Sequence, residues 1–268
     1  MHERTRILLG DEGLLRLGEA HVAVLGLGGV GSAAAEELVR AGVGRLTIAD
    51  FDVVKESNLN RQLIALTSTL GRAKVEVMAE RLRDINTSVD LTLLKDFLGP
   101  ESFGELKLKR FDYVLDCIDS LNPKVALIRA AYEAGARIIV STGAGGRIDP
   151  VGVRIENLFA TKNCPLSRHL RKRLRNQGVT GPIPAVYNPN PPLARTEEWP
   201  GESETERGRP RRPIGSISFV PVVYGCVMAS WVVRELLGMT DGFQSVGMSA
   251  ASFSGSRRKG LPSPPKNP

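Results

Sequence analysis

"EAHVAVLGLGGVGSAAAEELVRAGVGRLTIADFD", residues 19–52, decides the fold. "HVAVLG" is a short run of aliphatic residues and reads as a buried strand. "SAAAEELVRAG" reads as a helix, with Ala33, Leu38 and Val39 turned inward and Gly42 near its C-terminal end. "RLTIAD" is the next strand. Between the first strand and the helix, "GLGGVG" sets Gly26, Gly28 and Gly31 in G-x-G-x-x-G spacing, with Gly29 inside the loop. Glycines there permit a tight turn and close approach of a phosphate to the backbone, at a helix N-terminus that favours negative charge. Asp50 lies 19 residues beyond Gly31, where an acid accepts ribose hydroxyls. This is a βαβ unit with a right-handed crossover, made for an adenine nucleotide. It leaves NAD and ATP both open.

Working outward, strands and helices keep alternating. "AKVEVMAERLRDIN" (73–86) is a helix with Val77, Leu82 and Ile85 as apolar positions, and "VDLTLL" (89–94) is a strand. "DYVLDCID" (112–119) is another strand. "PKVALIRAAYEAG" (123–135) is a helix opened by proline, and "RIIVST" (137–142) is a strand running into the loop "GAGGRIDP". The pattern predicts an α/β, Rossmann-like, doubly wound and mainly parallel sheet. Residues 176–215 are dense in Pro, Gly and charge and are expected to form a long mobile loop. Order is expected to return at "SISFVPVVYGCVMASWVVRELLG" (216–238), a helix with Pro221 early, Arg234 late and Gly238 as its cap. The expected organisation is a nucleotide-binding core over 1–160, a basic extension over 161–240 that completes the fold, and a disordered tail over 241–268.

The charge is unevenly placed. Residues 1–160 carry 20 Lys/Arg against 22 Asp/Glu, a net −2, while residues 161–268 carry 16 against 7, a net +9. The second part therefore looks built to meet a polyanion. Hydrophobic residues make up 42% and charged residues 24%, the balance of a soluble globular chain. Cys117, Cys164 and Cys226 form no CxxC pair, which argues against a disulfide framework and a four-cysteine zinc site. A reducing, cytoplasmic setting is expected. "MHERTRILLGDEG" lacks the apolar segment of a signal peptide. The longest apolar run, "VPVVYGCVMASWVV" (220–233), has 14 residues, short of a membrane span, and is expected in the core or at a homodimer interface.

"ADFDVVKESNLNRQLIALTSTLGRAK" (49–74) bears on the choice of nucleotide. One helix terminus largely satisfies the diphosphate of NAD. ATP with Mg²⁺ brings more negative charge and needs cations, and Arg61 and Lys74 supply a forked donor and a point charge. Asn58, Asn60 and Gln62 can hold oxygens and orient the arginine. Asp119, at the end of its strand, can anchor Mg²⁺, which binds through one or two carboxylates plus phosphates. Strand alternation turns Asp116 elsewhere. The competing reading of Arg61 and Lys74 is a solvated helix face.

"GLGGVGS", "ADFDVVKESNLNRQ", "GRAK" and "DCIDS" together resemble the adenylating fold of the ubiquitin-activating-like superfamily, over roughly residues 4–240. The resemblance implies that Asp50 binds ribose and that Ser57, Asn58, Asn60 and Arg61 line the nucleotide. It implies further that Lys74 contacts phosphate and Asp119 organises Mg²⁺, with Asp52, Gln62 and Ser120 completing the set. It also implies an N-terminal arginine, Arg4 or Arg6, reaching the ATP of a partner subunit. Sulfur-carrier adenylyltransferases of this superfamily usually bear two CxxC pairs, and none exists here. "VSTGAGGRIDP", "LSRHLRKRLRNQGV" and "SFVPVVYGCVMASWVVRELL" are similar to the tRNA threonylcarbamoyladenosine dehydratases, which activate a carboxylate on a modified adenosine and close it into a ring. That family implies tRNA as partner. An adenylyltransferase for a ubiquitin-like carrier with a sulfur-transfer partner, and a nucleotide-binding regulator without turnover, are the rival readings.

In "SRHLRKRLR", Leu166 (just before it), Leu170 and Leu174 form an inward stripe, and Arg168, Arg171, Lys172, Arg173 and Arg175 fan over the remainder. They are candidate tRNA-phosphate contacts, set against a plain solvated face. Core packing accounts for Cys117 and Cys226. Cys164 is the one candidate nucleophile, and His169 is near it in sequence.

Overall fold

The computed structural model of the chain describes residues 1–193 and 214–239. The expected tail and the middle of the proline-rich segment lie outside these residues. The elements run α1 (Glu3–Glu19), β1 (His21–Leu25), α2 (Gly29–Ala41), β2 (Arg45–Ala49), α3 (Lys74–Ile85), β3 (Asp90–Leu94), α4 (Ser102–Glu105), β4 (Tyr113–Asp116), α5 (Leu121–Ala134), β5 (Ile138–Ser141), β6 (Arg154–Asn157), α6 (Pro165–Asn176), β7 (Pro184–Tyr187) and α7 (Phe219–Leu237). Seven strands form one sheet in the order β3-β2-β1-β4-β5-β7-β6. All neighbours pair in parallel except β6 and β7. The order reverses between β1 and β4, so a crevice opens at the carboxyl ends of these two strands, the usual place for a ligand in such a sheet.

Strand alternation divides the core into two layers. Val22, Val24, Leu46, Ile48, Leu115 and Ile139 meet α2, α3 and α7 on one face. Ala23, Leu25, Val114 and Val140 meet α5 and α6 on the other. Helix α7 lies close along α2: a Cβ at Gly225 would stand 2.5 Å from the Val30 carbonyl oxygen, and one at Gly29 would stand 2.9 Å from Pro221 Cβ. On α7, the Trp231 indole N–H donates to the buried Tyr113 hydroxyl at 2.7 Å.

Two features depart from the sequence reading. Helix α1 precedes the first strand and is kinked at Gly10, whose φ of 70° is left-handed. Leu17 is buried, while Ile7, Leu8 and Leu15 are exposed. Second, the segment expected as a mobile loop contains β7, whose Ala185, Val186 and Tyr187 are buried. Proline is tolerated there because Pro184 is the strand's first residue and Thr142 N–H donates to Val186 oxygen from the neighbouring chain segment. Helix α7 follows the reading: its 19 residues extend past the apolar run through Arg234 and Glu235 to a cap at Gly238. Length and composition alone would let it span a membrane, but half of it is buried inside the protein against α2 and the sheet.

Candidate nucleotide site and basic helix

The glycine loop joins β1 to α2 at the crevice. Gly26 adopts φ 96°, and a Cβ there would lie 2.7 Å from the Cys117 carbonyl oxygen. A Cβ at Gly31 would lie 1.8 Å from the Gly26 oxygen. These two glycines let the loop pack on itself and on the end of β4. Gly28 differs, since a Cβ there would meet nothing nearer than Gln62 Nε2 at 4.0 Å. It faces open space at the N-terminus of α2, where main-chain N–H groups of the first turn lack helical partners.

Asp50 closes one side. Its Oδ2 accepts from Leu27 N–H at 2.7 Å and its Oδ1 from Asp52 N–H at 2.9 Å. Burial raises its pKa, and the Lys74 ammonium, 4.0 Å away, pulls in the opposite direction. Lys74 is buried and also pairs with Asp52 Oδ2 at 3.0 Å, so the solvated-face reading fails for it. The turn over 56–62 supplies the rest. Arg61 Nη1 donates to Ser57 oxygen at 2.7 Å and to Asn60 Oδ1 at 2.8 Å. Buried Asn58 accepts from Lys55 N–H at 3.1 Å. Asn60 Nδ2 donates to Ser216 oxygen at 3.0 Å, tying this turn to the entrance of α7. Gln62 is buried and its Oε1 has no partner. Its Nε2 is the atom nearest the open space at Gly28, so the amide can donate to a polar ligand there.

Asp119 is exposed just beyond β4, and its Oδ1 accepts from the Ser120 hydroxyl at 3.3 Å. Ser120 is the residue before α5. Asp116 is fully buried, as alternation predicts, and it brings in a residue the sequence reading missed. Lys124, also fully buried, pairs with Asp116 Oδ1 at 2.9 Å and donates to Ile118 oxygen at 2.9 Å. A lysine in the first turns of an amphipathic helix gives no sign of this in sequence; its position eight residues after a buried strand-end aspartate was the available signal. Among the described residues no group of three metal-ligating side chains occurs. Arg4 is exposed on α1, and Arg6 pairs with Asp11 at 3.1 Å, so the fold does not bring either to the crevice of its own chain.

Helix α6 buries Leu170 and Leu174 as expected. Its cations do not simply fan outward. Arg171 turns to the Thr161 hydroxyl at 2.7 Å, Arg173 bonds Asn122 on α5, and Arg175 stacks over the Phe159 ring at 5.3 Å. Arg168 and Lys172 are exposed. Neighbouring acceptors and an aromatic face claim three of the five. Of the cysteines, burial pushes Cys117 up to about 12 and also raises Cys226. Cys164 is the N-cap of α6, and His169 is exposed on the same helix.

Fold and site together define a carboxylate-edge nucleotide binder of one class, and the chain belongs to the ThiF family, whose sequence model matches residues 2–267. More narrowly, it is 36% identical to the tRNA threonylcarbamoyladenosine dehydratase of Bacillus subtilis over 237 residues, covering 87% of this chain and 93% of that one. It is 42% identical over 172 residues to the enzyme of the same name from Escherichia coli, covering 64% of each. The crystal structure of the Escherichia coli enzyme in complex with ATP superposes with a TM-score of 0.78 at 34% identity, covering 88% of this chain and 93% of that one.

Proposed function

We propose that this chain is an ATP-dependent dehydratase acting on threonylcarbamoyladenosine in tRNA. The observation that carries the reading is the crevice itself: open Gly28, Gln62 Nε2, buried Asp50 and Arg61 converge at the switch point. The similarity to the dehydratases supplies the substrate class. A carboxylate is a poor electrophile until one oxygen becomes a leaving group. ATP provides this by phosphoryl or adenylyl transfer to that oxygen. A nucleophile within the same substrate then attacks the carbonyl carbon, and the oxygen departs on phosphate, so the net loss is water.

Each residue has a part in this. The α2 N-terminus and Gly28 receive phosphate oxygens, Asp50 accepts ribose hydroxyls, and Gln62 donates or accepts at the polar edge of the nucleotide. Arg61 offsets charge developing on the phosphates. Lys74 holds Asp50 and Asp52 in place and lends positive potential from behind them. Asp119 would hold Mg²⁺: a single exposed carboxylate at the strand edge suits an ion that takes its remaining ligands from phosphates and water. Bound there, the ion would neutralise phosphate charge. Intramolecular attack asks mainly for positioning, so no enzymic cysteine is needed. The exposed cations of α6 contact tRNA phosphates. A homodimer, joined through the outer face of α7 and α1, would carry Arg4 to the second crevice; the groove that Cys226 and Val227 of α7 form with Ile155, and the exposed Ile7 and Leu8 of α1, support this reading. A cytoplasmic setting agrees with the substrate.

Incubating purified protein with ATP, Mg²⁺ and tRNA that carries threonylcarbamoyladenosine tests the reading. Nucleoside mass spectrometry should show loss of one water from that nucleoside. Turnover of ATP only when a small carrier protein is supplied would replace it by the sulfur-carrier reading. Nucleotide binding without any turnover would leave the regulator.

A further inference from the structure

Arg147 is a buried cation that the nucleotide site does not account for. Its guanidinium reaches three loops at the carboxyl edge of the sheet. Nε donates to the Gly143 carbonyl, beyond β5, at 3.3 Å. Nη2 donates to the Asn163 carbonyl, immediately before the Cys164 cap of α6, at 3.0 Å. Nη1 donates to the Asn190 carbonyl, beyond β7. Asn163 adopts a left-handed φ of 55°, which asparagine tolerates, and its Nδ2 donates to the Pro189 carbonyl at 2.8 Å. Among the described residues no carboxylate pairs with Arg147. A guanidinium taken out of water without a carboxylate is costly, and an apolar side chain would fill the space without that cost. What only the guanidinium fork supplies is a fixed geometry for three carbonyls at once.

The loop that carries Arg147 is tied to the nucleotide turn. Gly146 N–H donates to the Gly215 carbonyl at 2.7 Å, and the next carbonyl, that of Ser216, accepts from Asn60 Nδ2 at 3.0 Å. Asn60 Oδ1 in turn holds Arg61 at 2.8 Å. The loop has no room to shift: a Cβ at Gly145 would stand 2.8 Å from Ile214 Cγ2, and one at Gly146 3.1 Å from Pro192 Cβ. One bonded path thus connects Arg61 at the crevice to the start of basic α6, past the ends of β5 and β7. We infer that Arg147 is a positioning residue for the dehydration. It holds the acceptor side of the carboxyl edge at a fixed distance from the nucleotide, so that the modified adenosine of a tRNA bound on α6 meets the phosphate that activates its carboxylate. This rests on the dehydratase reading of the crevice. Arg147 acts through Gly146 and Asn163.

The test compares the wild-type chain with Arg147→Lys, which keeps the charge and loses the fork, and with Arg147→Ala, using ATP, Mg²⁺ and tRNA that carries threonylcarbamoyladenosine. In both variants turnover at saturating substrates should fall about 100-fold, the usual cost of misplacing reactants by ~1 Å. ATP affinity by calorimetry and tRNA affinity by filter binding should stay at wild-type values, because Gly28, Asp50 and the buried leucines of α6 are held without Arg147. Millimolar guanidinium, far below denaturing levels, should restore part of the turnover of Arg147→Ala by refilling the space, and should do nothing for Arg147→Lys. Near-normal turnover in either variant would overturn the inference. So would a parallel loss of ATP affinity, tRNA affinity and turnover, or variants that do not fold even with guanidinium, since each makes Arg147 a plain structural residue. A wild-type chain that leaves the modified nucleoside intact would overturn the dehydratase reading and take the inference with it.

Discussion

Lys124 and Asp116 show how much a single pair can decide near the crevice. Both are without solvent exposure, and the ammonium also holds the Ile118 carbonyl one residue before Asp119. Lys124→Met leaves a buried carboxylate uncompensated and should cost ~3–5 kcal/mol of stability, measured by urea unfolding. Molecules that stay folded should still lose ATP turnover, since the turn that presents Asp119 is no longer anchored. Asp119→Ala is the contrasting change: it is exposed, so the unfolding midpoint should stay put while Mg²⁺-dependent turnover drops by more than ~100-fold, the upper end for merely supporting residues of a metal site. Near-normal turnover in that variant would remove Asp119 from the metal role. Such differences explain what was legible at this scale. Asp50, Arg61 and the loop glycines announce themselves because their spacing is set by the ligand. Lys124 does not, because a lysine on a helix usually faces water, and only tertiary packing reveals that this one is buried against Asp116.

Between elements, α2 and α3 are clamped by Glu36, which accepts from Arg81 Nε at 2.5 Å and from Arg40 Nε at 2.9 Å. Burial raises the Glu36 pKa, but the two guanidinium groups lower it further, for a net depression. A depressed carboxylate stabilises the fold above its unfolded pKa, near 4.3, and that contribution is lost as pH falls through the folded value. Glu36→Gln should therefore cost about 0.5–1 kcal/mol near pH 7, the partners being half exposed, and almost nothing in acid well below pH 4. A gap that persists in acid would assign the effect to packing. For α6, Arg168→Ala with Lys172→Ala should weaken tRNA binding across sequences and lower the salt slope by about two, near 0.9 per phosphate contact. Filter binding over a salt series measures it, and an unchanged slope would make this face a solvated one. Arg171 and Arg175 are poorer choices, because Thr161 and Phe159 already hold them. The helical period showed which side of α6 is apolar; it carried no information about which arginines find partners in other elements.

At the scale of the molecule, the βαβ start, the parallel order and the crevice followed from alternation of strand and helix patterns with glycine between them. Strand β7 did not, because four residues framed by prolines read as a loop until β5 and β6 are present to pair with it. Helix α1 was equally silent, its exposed Ile7, Leu8 and Leu15 blurring any inward stripe. Those residues belong to the assembly argument. Sedimentation at micromolar concentration should find a dimer, and Ile7→Glu with Leu8→Glu should shift it to monomer while leaving the urea midpoint of the isolated fold largely unchanged. A wild-type monomer would also withdraw Arg4 from the partner's crevice.

The close crossing of α2 and α7 has a consequence for motion. Gly225 rests against the Val30 carbonyl, Gly29 lies under Pro221, and Asn60 reaches Ser216. The glycine loop and the last helix therefore have no slack between them, and neither can breathe alone. Amide exchange should report this: adding ATP should slow deuterium uptake along α7 at residues well away from any phosphate, in step with the glycine loop, while α5 on the opposite face of the sheet keeps its own rate.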